Sequence, residues 1–417
     1  MEKVIQFGEG GFLRGFADWM LQIVNEETDF NGQVAVVQPI KTGMCEQLAK
    51  QNNKYIHICK GKEGVFPKEV SVISRCINPY TDYDAYLSLA DNSDFRFIIS
   101  NTTESGIVFD ENDKEGTAEC SFPAKVTALL KRRYDKAGKG FVFLPCELID
   151  KNGDNLKKCI LKYANLWGYE KGFADFVENE NIFCNTLVDR INTGFNKEDS
   201  EKYNDNMVNT SEYFHLWVIE GYKDLFSEIP FNKCGLNVIL TDNLEKYRTR
   251  KVRILNGAHT SITPYGILSG FETVKSVVDD EKMNEFLKGC IFDEIIPTLD
   301  LPEEELVSYA QDVLVRFANP HIKHLLSSIS LNSVSKYKVR VLPSVLEYIK
   351  RFGKTPKKLV FAFAKLIEFY KEGTPTDDQK VIDFIKNSTV AEILKNITLW
   401  GEDISFLESE IEKYVNK

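Results

Sequence analysis

Histidine is scarce: there are five in 417 residues, and only His321 and His324 stand close, at i,i+3, with no H-E-x-x-H pattern around them. The nine cysteines are scattered, odd in number and never spaced C-x-x-C. These absences argue against a disulfide framework and against a thiolate zinc site, so the thiols read as small buried hydrophobes and no metal is expected. No apolar run nears the roughly 20 residues that a membrane helix needs. Nor is there a Lys/Arg-rich stretch of the kind that binds lipid surfaces, and the 62 acidic against 52 basic side chains leave a net charge of −10. That balance disfavours nucleic acid, which selects basic surfaces through counterion release. The opening Met1-Glu2-Lys3-Val4-Ile5-Gln6-Phe7-Gly8 enters a strand-like run without a signal-peptide core. A soluble, cytoplasmic protein is expected.

What is present is a change of rhythm along the chain. At roughly 100–200 residues per domain, the length suggests two to four domains. The first part alternates short β-branched runs (Val4–Phe7, Val34–Val37, Phe95–Ile99, Phe141–Leu144) with helical patterns, which predicts a doubly wound parallel sheet. Phe12, Phe16, Met20, Ile23 and Val24 recur at helical spacing after the first strand. Tyr55–Ile58 and Val70–Ile73 flank a Gly-rich turn and predict an antiparallel hairpin insertion. Further strands are expected at Ile182–Cys184 and Leu236–Leu240. Beyond Asp242 the chain reads as helix after helix, with Pro264, Pro297, Pro302, Pro320, Pro343, Pro356 and Pro375 as punctuation. The expected division is therefore an α/β domain over residues 1–243 and a mostly α-helical domain over 244–417.

Two segments carry chemistry. A strand followed by Gly8-x-Gly10 and a helix can bring backbone N–H groups to a pyrophosphate, the second glycine removing a Cβ that would strike it. The pattern is incomplete. Leu13 holds the third glycine position, and Gln38-Pro39 stands where an acid normally takes the ribose 2′-hydroxyl, although Gln38 could still bond that hydroxyl. An ordinary strand–helix turn is the competing reading. The second segment is Lys251-Val252-Arg253-Ile254-Leu255-Asn256-Gly257-Ala258-His259. On an α-helix at about 100° per residue, Asn256 lies roughly 140° and His259 roughly 80° from Lys251, within one broad face. A lysine whose ordinary pKa of about 10.4 is lowered by burial or a neighbouring cation can exchange a proton with an alcohol. An Asn amide can donate to an oxygen on which charge develops. The plain alternative is a surface lysine beside a core-facing Asn and a helix-end His.

The segment Tyr247-x-x-x-Lys251-x-Arg253-x-Leu255-Asn256-Gly257-x-His259 resembles the signature of the polyol-specific long-chain dehydrogenases, the mannitol dehydrogenase family. Four more blocks agree in order. Gly8-Glu9-Gly10-Gly11-Phe12-Leu13-Arg14 resembles the family's G-x-G-x-F-H-R, departing at Leu13. Pro145-Cys146-Glu147-Leu148 with Asn152-Gly153 resembles its C-D-N…N-G stretch, departing at Glu147 and Leu148. Asn185–Ile191 matches N-x-M-V-D-R-I. Arg316-Phe317-x-Asn319-Pro320 with His324, then Lys336-x-x-x-Arg340, matches its second C-terminal block. The segments Val37–Ile40, Ser100–Ile107 and Leu216–Glu220 look most like the branch acting on keto-hexuronates; neighbouring branches act on the epimeric keto-uronate or on neutral polyols.

The resemblance implies a Rossmann-like dinucleotide-binding domain followed by a helical substrate-binding domain, and NAD-dependent, metal-independent reduction of the keto group of a small sugar acid. It implies Lys251 as general acid/base, Asn185 and Asn256 as an oxyanion hole with one amide from each domain, and His259 on substrate hydroxyls. Gly8, Gly10, Gly11 and Phe12 would lie along the dinucleotide, with Gln38, Asn101 and Thr102 beside its ribose groups. Arg316, His324, Lys336 and Arg340 are the candidates for the substrate carboxylate, which a guanidinium can take bidentately. Asp189 and Arg190 are expected to form an internal ion pair that shapes the loop carrying Asn185, rather than to be catalytic. Neither nucleic acid nor membrane is an expected partner, and no segment reads as a dimer seam, so a monomer is expected. A nucleotide-binding protein without catalysis is the remoter reading.

Overall fold

The alternating β-branched runs form a six-stranded, wholly parallel sheet in the computed structural model, which describes residues 1–103 and 105–415. In chain order its strands are Glu2–Phe7, Gln33–Val37, Ile73–Ile77, Phe97–Ser100, Val142–Pro145 and Ile182–Phe183. Their spatial order is third, second, first, fourth, fifth, sixth, so the direction of winding reverses between the first and fourth strands. Because side chains alternate across a strand, Val4, Val34, Val36 and Ile99 fill one core while Ile5, Phe7, Ala35 and Ile98 fill the other. Burial on both faces is why these strands read as continuous apolar runs.

Two local expectations are corrected. The hairpin pairs Tyr55–Gly61 with Gly64–Val70, in register Tyr55 to Val70, and Ile73 instead opens the third strand of the main sheet. The helix after the glycine turn is two helices, Gly11–Arg14 and Ala17–Glu27. The break falls at Gly15, where a Cβ would lie 2.6 Å from Asn209 Nδ2 and 2.7 Å from His57 Cε1. The hairpin joins Asn209–Glu212 and Asn192–Gly194 in a four-stranded sheet, and Asn185–Asp189, Leu216–Glu220 and Val238–Thr241 form a three-stranded one.

The chain divides into two compact units, Met1–Leu244 and Glu245–Lys417. In the second, the helix Gly257–Leu268 packs against Lys357–Glu372. The former is buried almost all round, the pattern of a central helix. Pro264 does not end that helix as expected; it sits inside it. No helix among the described residues is long and apolar enough to cross a membrane.

Candidate functional site

The first strand ends at Gly8, whose φ of +117° only glycine holds without strain, and whose Cβ would lie 3.0 Å from Asn101 O. The turn therefore passes close over the end of the fourth strand, at the point where strand order reverses, which is where open α/β sheets bind ligands. Gly10 is exposed, with open space where a Cβ would stand. Bare backbone at this place fits a dinucleotide pyrophosphate. Gly11 is bare for another reason: a Cβ there would meet Asn192 Nδ2 at 2.8 Å, and its carbonyl accepts from Asn209 Nδ2 at 2.8 Å. Phe12 is half-buried and stacks on Phe16 with centroids 5.0 Å apart. Leu13, the departure from the family pattern, is buried beneath the turn, its Cδ1 3.3 Å from where a Gly8 Cβ would be. Arg14 holds the turn from below, Nε donating to Glu9 O at 3.0 Å and Nη1 to Met207 O at 2.5 Å.

The residues expected near the ribose groups are fixed by partners that sequence reasoning passed over. Asn101 Nδ2 donates to Cys146 O at 2.7 Å. The buried Glu147 carboxylate accepts from Thr102 N, Thr102 Oγ1 and Ser100 Oγ, each at 3.0 Å, so it shapes the loop after the fourth strand. Burial pushes its carboxyl up, and those donors pull it back. Gln38 is buried at the end of the second strand, with Nε2 donating to Ile40 O (2.9 Å) and Lys41 O (3.1 Å). Its amide oxygen is the part left to accept a hydroxyl.

Below the turn, Gln6 Nε2 donates to Gly8 O (3.0 Å) and to Asp18 Oδ2 (3.2 Å), and Tyr55 OH also reaches Asp18 Oδ2 (3.4 Å). Complete burial pushes the Asp18 carboxyl up to about 7 from 3.8, while Gln6, Arg14 and Tyr55 oppose the rise. The folded protein thus holds a proton on Asp18 that the unfolded chain releases near pH 4. The stabilisation is full below that pH and is lost as pH rises through about 7, an effect on the order of 4 kcal/mol. Asp18→Asn does not titrate, so its urea midpoint should gain on wild type between pH 5 and pH 8. Parallel pH profiles for the two proteins would remove Asp18 as the source.

Asn185 lies on the three-stranded sheet. Its Oδ1 accepts from Asp154 N (3.1 Å) and its Nδ2 donates to Glu220 Oε2 (3.3 Å), which orients the amide and leaves it a second N–H. Glu220 Oε1 in turn accepts from Leu244 N at 3.0 Å. Asn152 locks the neighbouring strands: Nδ2 donates to Pro145 O, Glu147 O and Thr186 O, and Oδ1 accepts from Thr186 N. Arg190 is buried and donates to Gly15 O and Glu212 O while lying over the Trp19 ring, 4.2 Å from its centroid.

In the second unit, the α-helix Leu244–Arg250 widens into a π-helical turn over Lys251–Asn256 before the α-helix Gly257–Leu268 resumes. This corrects the angular estimate made for an α-helix. A π-turn closes i to i+5, so Lys251 and Asn256, five apart, stand on the same side of the turn. Lys251 and Asn256 are half-buried and His259 is buried. The turn is packed on the end of the helix Ser333–Arg340: Arg253 Nη1 donates to Val339 O at 3.0 Å, and a Cβ on Gly257 would lie 3.1 Å from Arg340 O. The His259 ring stacks on Phe317 (4.1 Å, 18°) and meets His324 edge-on (4.8 Å, 80°). Burial lowers the His324 pKa, which favours the neutral ring.

The rings of His259, Phe317 and His324 thus meet in the second unit, with Arg316 buried one residue before Phe317. Lys336 Nζ is turned to Ile329 O at 2.8 Å. Burial, and in second place the Arg340 charge, lower its pKa. Burial also lowers that of Arg340.

Residues 2–233 match the Mannitol dehydrogenase Rossmann domain, and residues 243–416 match the Mannitol dehydrogenase C-terminal domain. Altronate oxidoreductase of Bacillus subtilis (strain 168) is 44% identical over 430 residues, covering 97% of this chain and 89% of that one. Altronate oxidoreductase of Escherichia coli O6:K15:H31 is 43% identical over 386 residues, covering 89% and 80%. Among solved structures, D-sorbitol dehydrogenase in substrate-free form superposes with a TM-score of 0.84 at 22% identity, covering 99% of this chain and 92% of that one. Pseudomonas fluorescens mannitol 2-dehydrogenase, in a ternary complex with NAD and D-mannitol, does so with 0.71 at 18%, covering 99% and 90%. At those identities the two structures speak to the fold, which is the one the sequence implied. The family resemblance carried by the five sequence blocks holds, and the chain belongs to the mannitol dehydrogenase family of oxidoreductases.

Proposed function

We propose that this protein interconverts tagaturonate and altronate with NAD(H), Lys251 serving as the general acid/base. The observation that supports the reading is the π-turn over Lys251–Asn256, a geometry in which residues five apart share a side, running directly into the helix that carries His259. The 44% identity to an altronate oxidoreductase over nearly the whole chain supports the substrate class. Bound NADH supplies the hydride that reaches the keto carbon.

The chain's own residues manage the oxygen. Asn256 donates an amide N–H to it as negative charge grows, and Asn185 is the second amide assigned to the same task. Lys251 Nζ then gives that oxygen a proton, and in the reverse direction it removes the proton from the altronate hydroxyl. His259, held face-on by Phe317 and edge-on by His324, presents its imidazole to substrate hydroxyls. Arg316 and Arg340 are the guanidinium groups suited to the carboxylate.

A panel of tagaturonate, fructuronate and fructose, each with NADH and with NADPH, tests the assignment. The expected result is a kcat/KM for tagaturonate with NADH at least about tenfold above every other pair, a difference of about 1.4 kcal/mol in the barrier. A preference for fructuronate or fructose would move the enzyme to a neighbouring branch. NADH binding without turnover of any of the three would favour the non-catalytic reading.

A further inference from the structure

The second strand ends without the acid that normally receives the adenosine ribose, yet a carboxylate stands there. It comes from Glu9, inside the glycine turn. Glu9 and Gln38 are both buried, and their side chains converge: a Cβ placed on Gly43 would lie 2.0 Å from Glu9 Oε1 and 2.4 Å from Gln38 Cδ. Glu9 Oε1 also accepts from Met44 N at 3.0 Å, so the carboxylate fastens the loop that leaves the second strand. That leaves Oε2 as an acceptor on a carboxylate that lies against the Gln38 side chain. Cations are poorly placed to compete. Lys41 is exposed and points to Glu119 at 3.5 Å, and Arg14 uses its guanidinium on the carbonyls of Glu9 and Met207. Burial pushes the Glu9 carboxyl up, while the Met44 N–H, its own N–H and Arg14 draw it down.

A ribose bearing two hydroxyls needs acceptors, and a 2′-phosphate needs cations. We propose that Glu9, with Gln38 beside it, is the residue that selects a 2′-hydroxyl over a 2′-phosphate, taking from within the glycine turn the role left vacant at the end of the second strand. This rests on the NAD(H) reading above and says which residue enforces it. Rejection of the phosphate arises from a buried carboxylate that it would face, the neighbouring Arg14 guanidinium being already committed to the Glu9 and Met207 carbonyls.

The test is binding to the full-length protein without substrate, with NADH and NADPH each titrated by quenching of tryptophan fluorescence. Glu9→Gln keeps the shape and an oxygen for Met44 N but removes the charge. It should weaken NADH by up to about tenfold, because the amide nitrogen in place of Oε2 cannot accept the ribose hydroxyl, and tighten NADPH by about tenfold or more, with an unchanged melting temperature. Glu9→Ala, which also releases the loop, should weaken both nucleotides. An unchanged NADPH-to-NADH ratio of Kd values in Glu9→Gln, with NADH still bound, overturns the role of Glu9 and leaves the cofactor reading standing. Wild-type protein that binds neither nucleotide overturns the cofactor reading itself, and this one with it.

Discussion

Replacing Lys251 by Ala should lower kcat in both directions by about 10²–10⁴-fold while the Kd for NADH stays within about threefold. The first figure corresponds to about 3–5 kcal/mol of barrier, the span that one positioned proton donor supplies. The second follows from where the groups lie in the chain: the glycine turn, Gln38 and Asn101 belong to the Met1–Leu244 unit and Lys251 to Glu245–Lys417. Lys251→Arg is the sharper companion. It keeps the charge and the reach, but a guanidinium does not give up its proton, so oxidation of altronate should stay as low as in the Ala variant. Steady-state kinetics in each direction, with melting curves to verify folding, decide the matter. Turnover within tenfold of wild type in a normally folded Lys251→Ala would leave the amine without its assigned role.

How much of this was legible in the sequence depended on which force set each element. Strands buried on both faces announce themselves, and Val34–Val37 could hardly read otherwise. The hairpin was misplaced because its second arm carries Lys68, Glu69 and the exposed Val65 and Phe66, a solvated strand with little periodicity. Val70–Ile73 offered the cleaner pattern and belongs half to each sheet. The glycine turn was readable as a turn, but the identity of its partners was not. Glu9 bonds Met44, 35 residues away, and Glu147 bonds Thr102, 45 away; such pairings are decided by strand order rather than local spacing.

Glu147 did leave a trace, since it appeared as a departure from the family pattern beside Asn152-Gly153. The Lys251 turn shows the limit most plainly. The residue types pointed to proton transfer, but a 3.6-residue period cannot foresee a π-turn. Its packing against the Val339 and Arg340 carbonyls is a tertiary effect, acting through Arg253 and the bare Cα of Gly257.

Gly153→Ala should damage stability and catalysis together, against the usual direction for a helical glycine. In the helix Asn152–Leu166 the change to Ala would ordinarily stabilise by up to about 1 kcal/mol. Here the added methyl would lie 2.1 Å from Cys184 O, 2.6 Å from its carbonyl carbon and 3.2 Å from Asn185 N. Neither side can yield cheaply. Gly153 N is bonded to the Asn152 side chain at 3.0 Å, whose amide also spans Pro145, Glu147 and Thr186. Cys184 N is bonded to Phe143 O at 3.0 Å, which ties that backbone to the central sheet.

Overpacking against fixed backbone costs about 1–3 kcal/mol or somewhat more. At about 2–4 °C per kcal/mol for a unit of this size, the melt of the first unit should fall by roughly 5–10 °C. The displaced strand is the one that carries Asn185, whose amide is oriented by Asp154 N and Glu220. A shift near 1 Å in a positioning group can cost about 10²-fold in rate. A melt within 2 °C of wild type together with an unchanged kcat would mean that helix and strand can separate freely, and that the amide of Asn185 is not held by this contact.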